Sequence, residues 1–324
     1  MNETNQEENQ VKLPFNNLYL ISGLVHGLNK AWMYFLTILF LISGYVLFQA
    51  IIAMPLIAIL LQNGYTTQDM TDNANLLFDS TALKMDRNLV LLMEMGMFVF
   101  AFIGFFIGLK YIHLKSLTSV VTGFQKFRLK RFFFAFGVWG SLLVLTVLYD
   151  LLVEPGSLKM NINWTGFIIS SLIMIVLMPV QTGIEEVFFR GYLLQGLSQV
   201  FKNGYLPLII TSLLFGWAHM SNPEVKEYGR PIMLTYYTFF ALFMGSLTLL
   251  DEGLELAFGI HFANNIISSI LICPQHSVIK TYSIFESTSE NPYTEIFVWL
   301  VMAIITFTVF WFKYRWNNFK LILK

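Results

Sequence analysis

The chain has 324 residues, of which 56% are hydrophobic and 12% charged, the latter about half the charged share of an ordinary soluble domain. Twenty acidic and 20 basic side chains cannot cover a water-soluble fold of this size, which excludes a soluble α/β enzyme as well as disordered and fibrous chains. A formal net charge of zero leaves no basic footprint for nucleic acid, and the one cysteine, Cys273, excludes disulfides within the chain and cysteine-based metal clusters.

What remains is an integral membrane protein, read as an all-α polytopic helix bundle in one membrane domain, 1–324. Residues 1–30 are expected as a cytosolic or interfacial segment. The first ten hold three glutamates and no positive n-region, unlike a signal peptide. Residues 13–28 are moderately apolar, with an isolated His26, and suit an interfacial helix. A crossing needs about 20 apolar residues, and the chain supplies such runs repeatedly. The first covers 31–61, with Pro55 expected to kink or end it. The second covers 89–109 and contains Glu94, expected to snorkel or bond locally near the outer end. The third is 132–153, with Asp150 near its end. The fourth starts at Trp164 and meets no charge until Glu185. The fifth to eighth cover 205–220, 231–250, 254–272 and 296–312. All are continuous rather than alternating, hence helices and not barrel strands. About eight transmembrane helices follow, joined by polar connections of which 62–88 and 273–295 are the longest. No internal repeat is evident.

Lys110, Lys115, Lys126, Arg128, Lys130 and Arg131 crowd one connection, and Lys313, Arg315, Lys320 and Lys324 crowd the C-terminal tail. Lys84 and Arg87 are outnumbered by Asp69, Asp72, Asp79 and Asp86 in another. With an even number of spans, this bias places both termini in the cytosol.

An acidic or basic residue at the centre of a membrane helix costs roughly 2.5 to 3.5 kcal/mol, so the residues that interrupt the apolar runs are the informative ones. Glu186 and Arg190 are four apart and share a helix face as an ion pair, while Glu185 is rotated away by about 100° and left available as a proton acceptor. The same cluster would also suit a helix leaving the membrane. The continuation Tyr192-Leu193-Leu194 argues that the helix goes on, to about Ser198, with a bend near Pro179. His219 closes the run Phe215-Gly-Trp-Ala-His219, and His261 and Asn265 lie four apart on one face. A lone membrane histidine is more often a packing residue, and a His/Asn pair can serve as interhelical glue. Together, however, one glutamate, two histidines and an asparagine make a hydrolytic set. The carboxylate takes a proton from water and a histidine orients it, while the second histidine and the amide stabilise an oxyanion. Glu185, His219 and His261 could instead hold Zn²⁺. The His-Glu-x-x-His spacing of zincins is absent.

Glu-Glu-x-x-x-Arg, Phe-x-x-x-His and His-x-x-x-Asn on successive membrane helices resemble the CAAX prenyl protease type II and bacteriocin-processing (CPBP, Abi) family of intramembrane endopeptidases. The resemblance covers a core of about 132–272. It implies Glu185 as the water-activating base and His219 as the holder of that water. His261 and Asn265 would form the oxyanion site, and Glu186 and Arg190 an orienting pair. It implies no cofactor in the favoured, glutamate-dependent reading, and Zn²⁺ in the metalloprotease reading also applied to the family. The partner is a peptide or protein substrate met at the bilayer, in a cavity open to the cytosol. The expected setting is the plasma membrane of a prokaryote, with the chain a multi-pass integral membrane protein. A non-catalytic scaffold or bacteriocin self-immunity factor is the alternative, and a transporter a third, disfavoured by the absence of inverted repeats.

Overall fold

A computed structural model describes residues 14, 16–154, 156–160, 162–274, 277–288 and 291–320. The acidic first ten residues and Lys324 lie outside the described residues. Among the described residues, fourteen α-helices account for most of the chain. They begin with α1 (Leu18–Val25), α2 (Ala31–Gln62), the short α3 (Thr67–Asp72) and α4 (Ser80–Leu83), and α5 (Arg87–Ile107). Then come α6 (Leu117–Val121), α7 (Leu129–Val153), α8 (Trp164–Glu186) and α9 (Leu194–Phe201). The last five are α10 (Tyr205–Ala218), α11 (Pro223–Tyr228), α12 (Arg230–Asp251), α13 (Glu255–Leu271) and α14 (Pro292–Tyr314).

All eight expected spans fall on helices, and six of the helices are long and apolar enough to cross a membrane. The fifth and seventh are shorter than expected. The 14 residues of α10 and the 17 of α13 rise only about 21 and 26 Å, against about 30 Å of hydrocarbon. α10 stops because the His219 amide turns back onto Gly216 and the next helix opens on Pro223. α13 stops because Ile272 turns into a strand. Pro55, expected as a kink or an end of the first span, ends nothing: α2 runs on to Gln62. A proline forfeits one backbone bond, and the bonds on either side carry the helix across it.

The bilayer is written on the surface. Along α2, Phe35, Leu47, Ile51 and Met54 are between 63% and 75% exposed, apolar surface of the kind a bilayer covers. The other face of α2 lies against α5, and two glycines make the approach close. A Cβ on Gly44 would overlap the Phe100 carbonyl oxygen, and one on Gly104 would overlap that of Phe40. The paired numbers run in opposite directions, so the helices are antiparallel, with small residues at the seam as membrane helices prefer.

Two buried clusters fix the middle of the bundle. Trp139 of α7, Met244 of α12, Ile260 of α13 and Trp299 and Phe310 of α14 form one. Tyr19 of α1, Phe105 of α5, Tyr192 and Leu249 form the other. The first and last described segments meet at the C-terminal end of α12: Asn17 donates to the Leu249 carbonyl at 2.8 Å, and Asn318 donates to that of Leu250 at 2.9 Å. Arg128 and Arg131 bind Asp251 beside them, and Arg128 also binds Glu255. Three short strands form a small sheet not expected from the sequence: β1 (Leu158–Met160), β2 (Ile272–Cys273) and β3 (Phe285–Ser287). β3 lies in the middle, antiparallel to β1 and parallel to β2. The sheet turns part of the 273–295 connection into a tie between α8 and α13.

Candidate active site

The site is assembled on α8, α10 and α13. From Trp164 to Phe201 the chain is one continuous helical path of 38 residues, so the expected extension past Arg190 is present. Its middle, Val187–Leu193, is a π-helix. A π-segment widens the turn and re-aims the side chains beside it, and such segments are frequent at functional sites. Glu185 lies about 32 Å along this path from Trp164, roughly one hydrocarbon thickness.

Glu186 is fully buried and Arg190 nearly so. An Arg190 Nη lies 3.1 Å from Glu186 Oε1, the expected i,i+4 ion pair, although its alignment does not make a hydrogen bond. The guanidinium stacks on the Phe215 ring at 4.0 Å, and this cation–π contact holds a charge that burial would otherwise penalise. The phenylalanine of the Phe-x-x-x-His motif thus has a definite task. Its ring also lies 4.3 Å from the His219 ring, and its carbonyl accepts from His219 Nδ1 at 2.7 Å.

His219 follows the last residue of α10, flanked on the other side by Tyr237 at 4.6 Å between rings. With a hydrogen on Nδ1 given to Phe215, the neutral ring keeps Nε2 as an acceptor. His219 is close enough to interact electrostatically with Glu185 and His261. Behind it the Tyr237 hydroxyl donates to Glu224 at 2.5 Å, and Asn222 donates to the Tyr237 hydroxyl at 3.1 Å.

His261 stands between the two carboxylates. Its Nδ1 bonds Glu186 Oε1 at 2.7 Å, and its Nε2 lies 3.6 Å from Glu185 Oε2. Glu185 is not in bulk water, since its side chain is only 14% exposed. Asn265, one turn along α13, does not touch Glu185 directly. It donates to Gln181 Oε1 at 3.2 Å, and Gln181 donates to Glu185 Oε1 at 2.6 Å. The structure therefore brings Glu185, Glu186, Arg190 and His261 into one contact set, sets His219 beside it and attaches Asn265 through Gln181. Gln181 was missed by the reading of the sequence. In the sequence it is a neutral amide one turn before Glu185 in a run without charge, which by itself names no partner.

Among the described residues no three histidine, cysteine, aspartate or glutamate side chains gather as a metal site. In each ring Nδ1 is bonded, His261 to Glu186 and His219 to the Phe215 carbonyl, and this fixes where the remaining nitrogen, Nε2, points. Glu94 is half-buried and interacts with Lys280.

Residues 162–267, which carry every one of these side chains but Glu94 and Lys280, match the model of the type II CAAX prenyl endopeptidase Rce1-like family. Through that segment the chain resembles the Rce1-like family. The matched residues start just before α8 and end within α13, so α1 to α7 and α14 frame the Rce1-like segment from outside it. Over 283 residues the chain is 27% identical to the uncharacterized protein YyaK of Bacillus subtilis (strain 168), covering 87% of this chain and 91% of the relative. That likeness extends well beyond the Rce1-like segment. No solved structure matches the chain significantly. The protein is an integral membrane protein, and its residues 162–267 are similar to a family of membrane endopeptidases.

Proposed function

We propose that the protein is an intramembrane endopeptidase that hydrolyses a peptide bond with water activated by Glu185, without a metal ion. One observation carries the reading: His261 lies between two carboxylates, bound to Glu186 through Nδ1 and facing Glu185 Oε2 through Nε2. In the proposed step a water held near Glu185 and the acceptor Nε2 of His219 gives a proton to Glu185. The resulting hydroxide adds to the peptide carbon, and the carbonyl electron pair moves to oxygen. His261 Nε2 and the second amide hydrogen of Asn265 stabilise that oxyanion. A ring that donates from Nδ1 to Glu186 can donate from Nε2 as well only as the imidazolium. Its positive charge, with Arg190, balances Glu185 and Glu186. Collapse of the intermediate breaks the C–N bond, and the leaving amine takes its proton from Glu185.

The substrate in this reading is a peptide or protein met at the bilayer, and a prenyl group on it is not required by anything in the site. The basic segment 110–131 and the tail favour termini in the cytosol, in the plasma membrane of a prokaryote. The test compares the termini of membrane proteins in cells that make wild type or Glu185→Gln at matched levels. New termini confined to wild type are expected, and their formation by the purified protein is expected to survive a metal chelator. Identical termini in both cells would replace the enzyme with a scaffold or immunity factor. Loss of the cut on chelation would overturn the metal-free step.

A further inference from the structure

Glu185 Oε1 is the last acceptor of a hydrogen-bond chain that starts on another helix, outside the Rce1-like segment. The Trp139 indole N–H of α7 donates to Asn264 Oδ1 at 3.2 Å, and Asn264 Nδ2 donates to Asn265 Oδ1 at 3.2 Å. Asn265 Nδ2 donates to Gln181 Oε1 at 3.2 Å, and Gln181 Nε2 donates to Glu185 Oε1 at 2.6 Å. The chain crosses from α7 through α13 to α8, and Trp139 at its start and Gln181, its last amide, are buried.

Its direction is not arbitrary. An indole can only donate and a carboxylate can only accept, so each of the three amides between them must accept from one side and donate to the other. Turning any one around would set donor against donor or acceptor against acceptor. Each bond also polarises the next, and the last is charge-assisted, as its shorter length reflects.

We infer that Trp139, Asn264 and Gln181 are positioning residues, which with Asn265 form a one-way relay that occupies Glu185 Oε1 and reserves Oε2 for proton transfer. The inference rests on the proteolytic reading above. With Oε1 held by Gln181, the proton taken from water goes to Oε2, the oxygen that faces His261. The same relay fixes the rotation of the Asn265 amide. One of its hydrogens is spent on Gln181, and the other is left for the oxyanion. A single chain therefore aims the base and the amide donor together, and a tryptophan on α7 serves the reaction without touching it.

The experiment follows the rate at which the terminus cut by wild type forms, in the wild type, Gln181→Met, Trp139→Phe and the double variant, with each one's membrane accumulation measured. Gln181→Met keeps side-chain length and removes the bond to the carboxylate. It is expected to slow cleavage about 10- to 100-fold, the range for a hydrogen bond to a charged group. Trp139→Phe is expected to slow it a few-fold alone and to add less than that in the Gln181→Met background, because its path to Glu185 is already cut and only its hold on Asn265 remains. A merely structural role for Trp139 would instead multiply the two losses. Asn264→Ala, at a half-buried position, interrupts the relay without touching Glu185 and is expected to match Trp139→Phe should Gln181→Met fail to accumulate. Full rates in Gln181→Met or Asn264→Ala, or independent losses in the cycle, would overturn the relay. Absence of any cut by wild type would overturn the proteolytic reading, and the relay's purpose with it.

Discussion

At the scale of single residues, the site holds more charge than its surroundings can solvate, and its stability depends on pairing. Removing one partner of a buried ion pair costs about 3 to 5 kcal/mol, because the other charge is left uncompensated. Arg190→Met strands Glu186 and is expected to lower unfolding stability in detergent by about that amount, with double replacement Glu186→Gln and Arg190→Met less damaging than the single change. Equal stability of wild type and Arg190→Met would show that the pair is not needed. A second buried cation lies outside the spans. Lys115, 5% exposed, donates to the Gly23 carbonyl at 2.7 Å and to Asn29 Oδ1 at 2.6 Å, with no carboxylate among the described residues bonded to it. Burial holds its ammonium down, from the ordinary 10.5 to about 8. Between those values the unfolded chain binds more protons than the folded one, so stability rises with pH there. Relative to Lys115→Met, wild type is expected to gain up to about 3 kcal/mol between pH 8 and 10.5, read from unfolding at the two ends of that range. The neutral amine still has two hydrogens for its two acceptors, so the attachment of α1 survives the loss of charge. Parallel pH profiles in the two proteins would remove Lys115 as the cause. The charged and imidazole members of the site were legible in the sequence because each breaks an apolar run, whereas Gln181, Asn264 and Trp139 were not. A neutral amide in a membrane helix is inexpensive, and only the fold reveals which neighbour it meets.

At the scale of elements, the sequence marked where helices lie better than where they end. Hydropathy integrates over many residues, so all eight positions were visible, but α10 and α13 end on local events, a backbone turn at His219 and a strand at Ile272. The π-segment after Glu186 left no signal in composition, since it differs from an α-helix by one residue per turn and not by residue type. The seam between α2 and α5 was equally silent: glycine in an apolar run reads as a weak helix former until the partner helix is known. There the fold makes a sharp demand. Gly104→Val would drive a side chain into the Phe40 carbonyl, so the two helices must separate, costing roughly 1 to 3 kcal/mol as overpacking does. Reduced membrane accumulation is expected for Gly104→Val and little change for Gly137→Val, where a Cβ meets open space. Equal accumulation of both would show that the seam tolerates a wider spacing.

At the scale of the whole molecule, Asn17 and Asn318 share one end of the bundle through their bonds to Leu249 and Leu250. With Cys273 replaced by serine, a cysteine at exposed Asn317 is expected to react with an impermeant reagent from the same side as one at exposed Asn16. A cysteine at Asp72, beyond the far end of α2, should react from the opposite side, and the charge bias names the Asn317 side as cytosolic. Labelling of Asn317 and Asp72 from one side would break the assigned topology.

The brevity of α10 has a consequence for the lipid. Its Leu213 and Trp217 are exposed, so acyl chains must lie against a helix about 9 Å shorter than the slab they come from. Tyr205 and Trp217, both exposed near its two ends, are of the kind that settles at the headgroups. Hydrophobic mismatch of this kind is relieved by thinning of the bilayer, at fractions of a kcal/mol per Å. The headgroup surface therefore dips into a dimple beside Trp217, two residues from His219, and polar chemistry is reached there at a shallower depth than the longer helices would suggest.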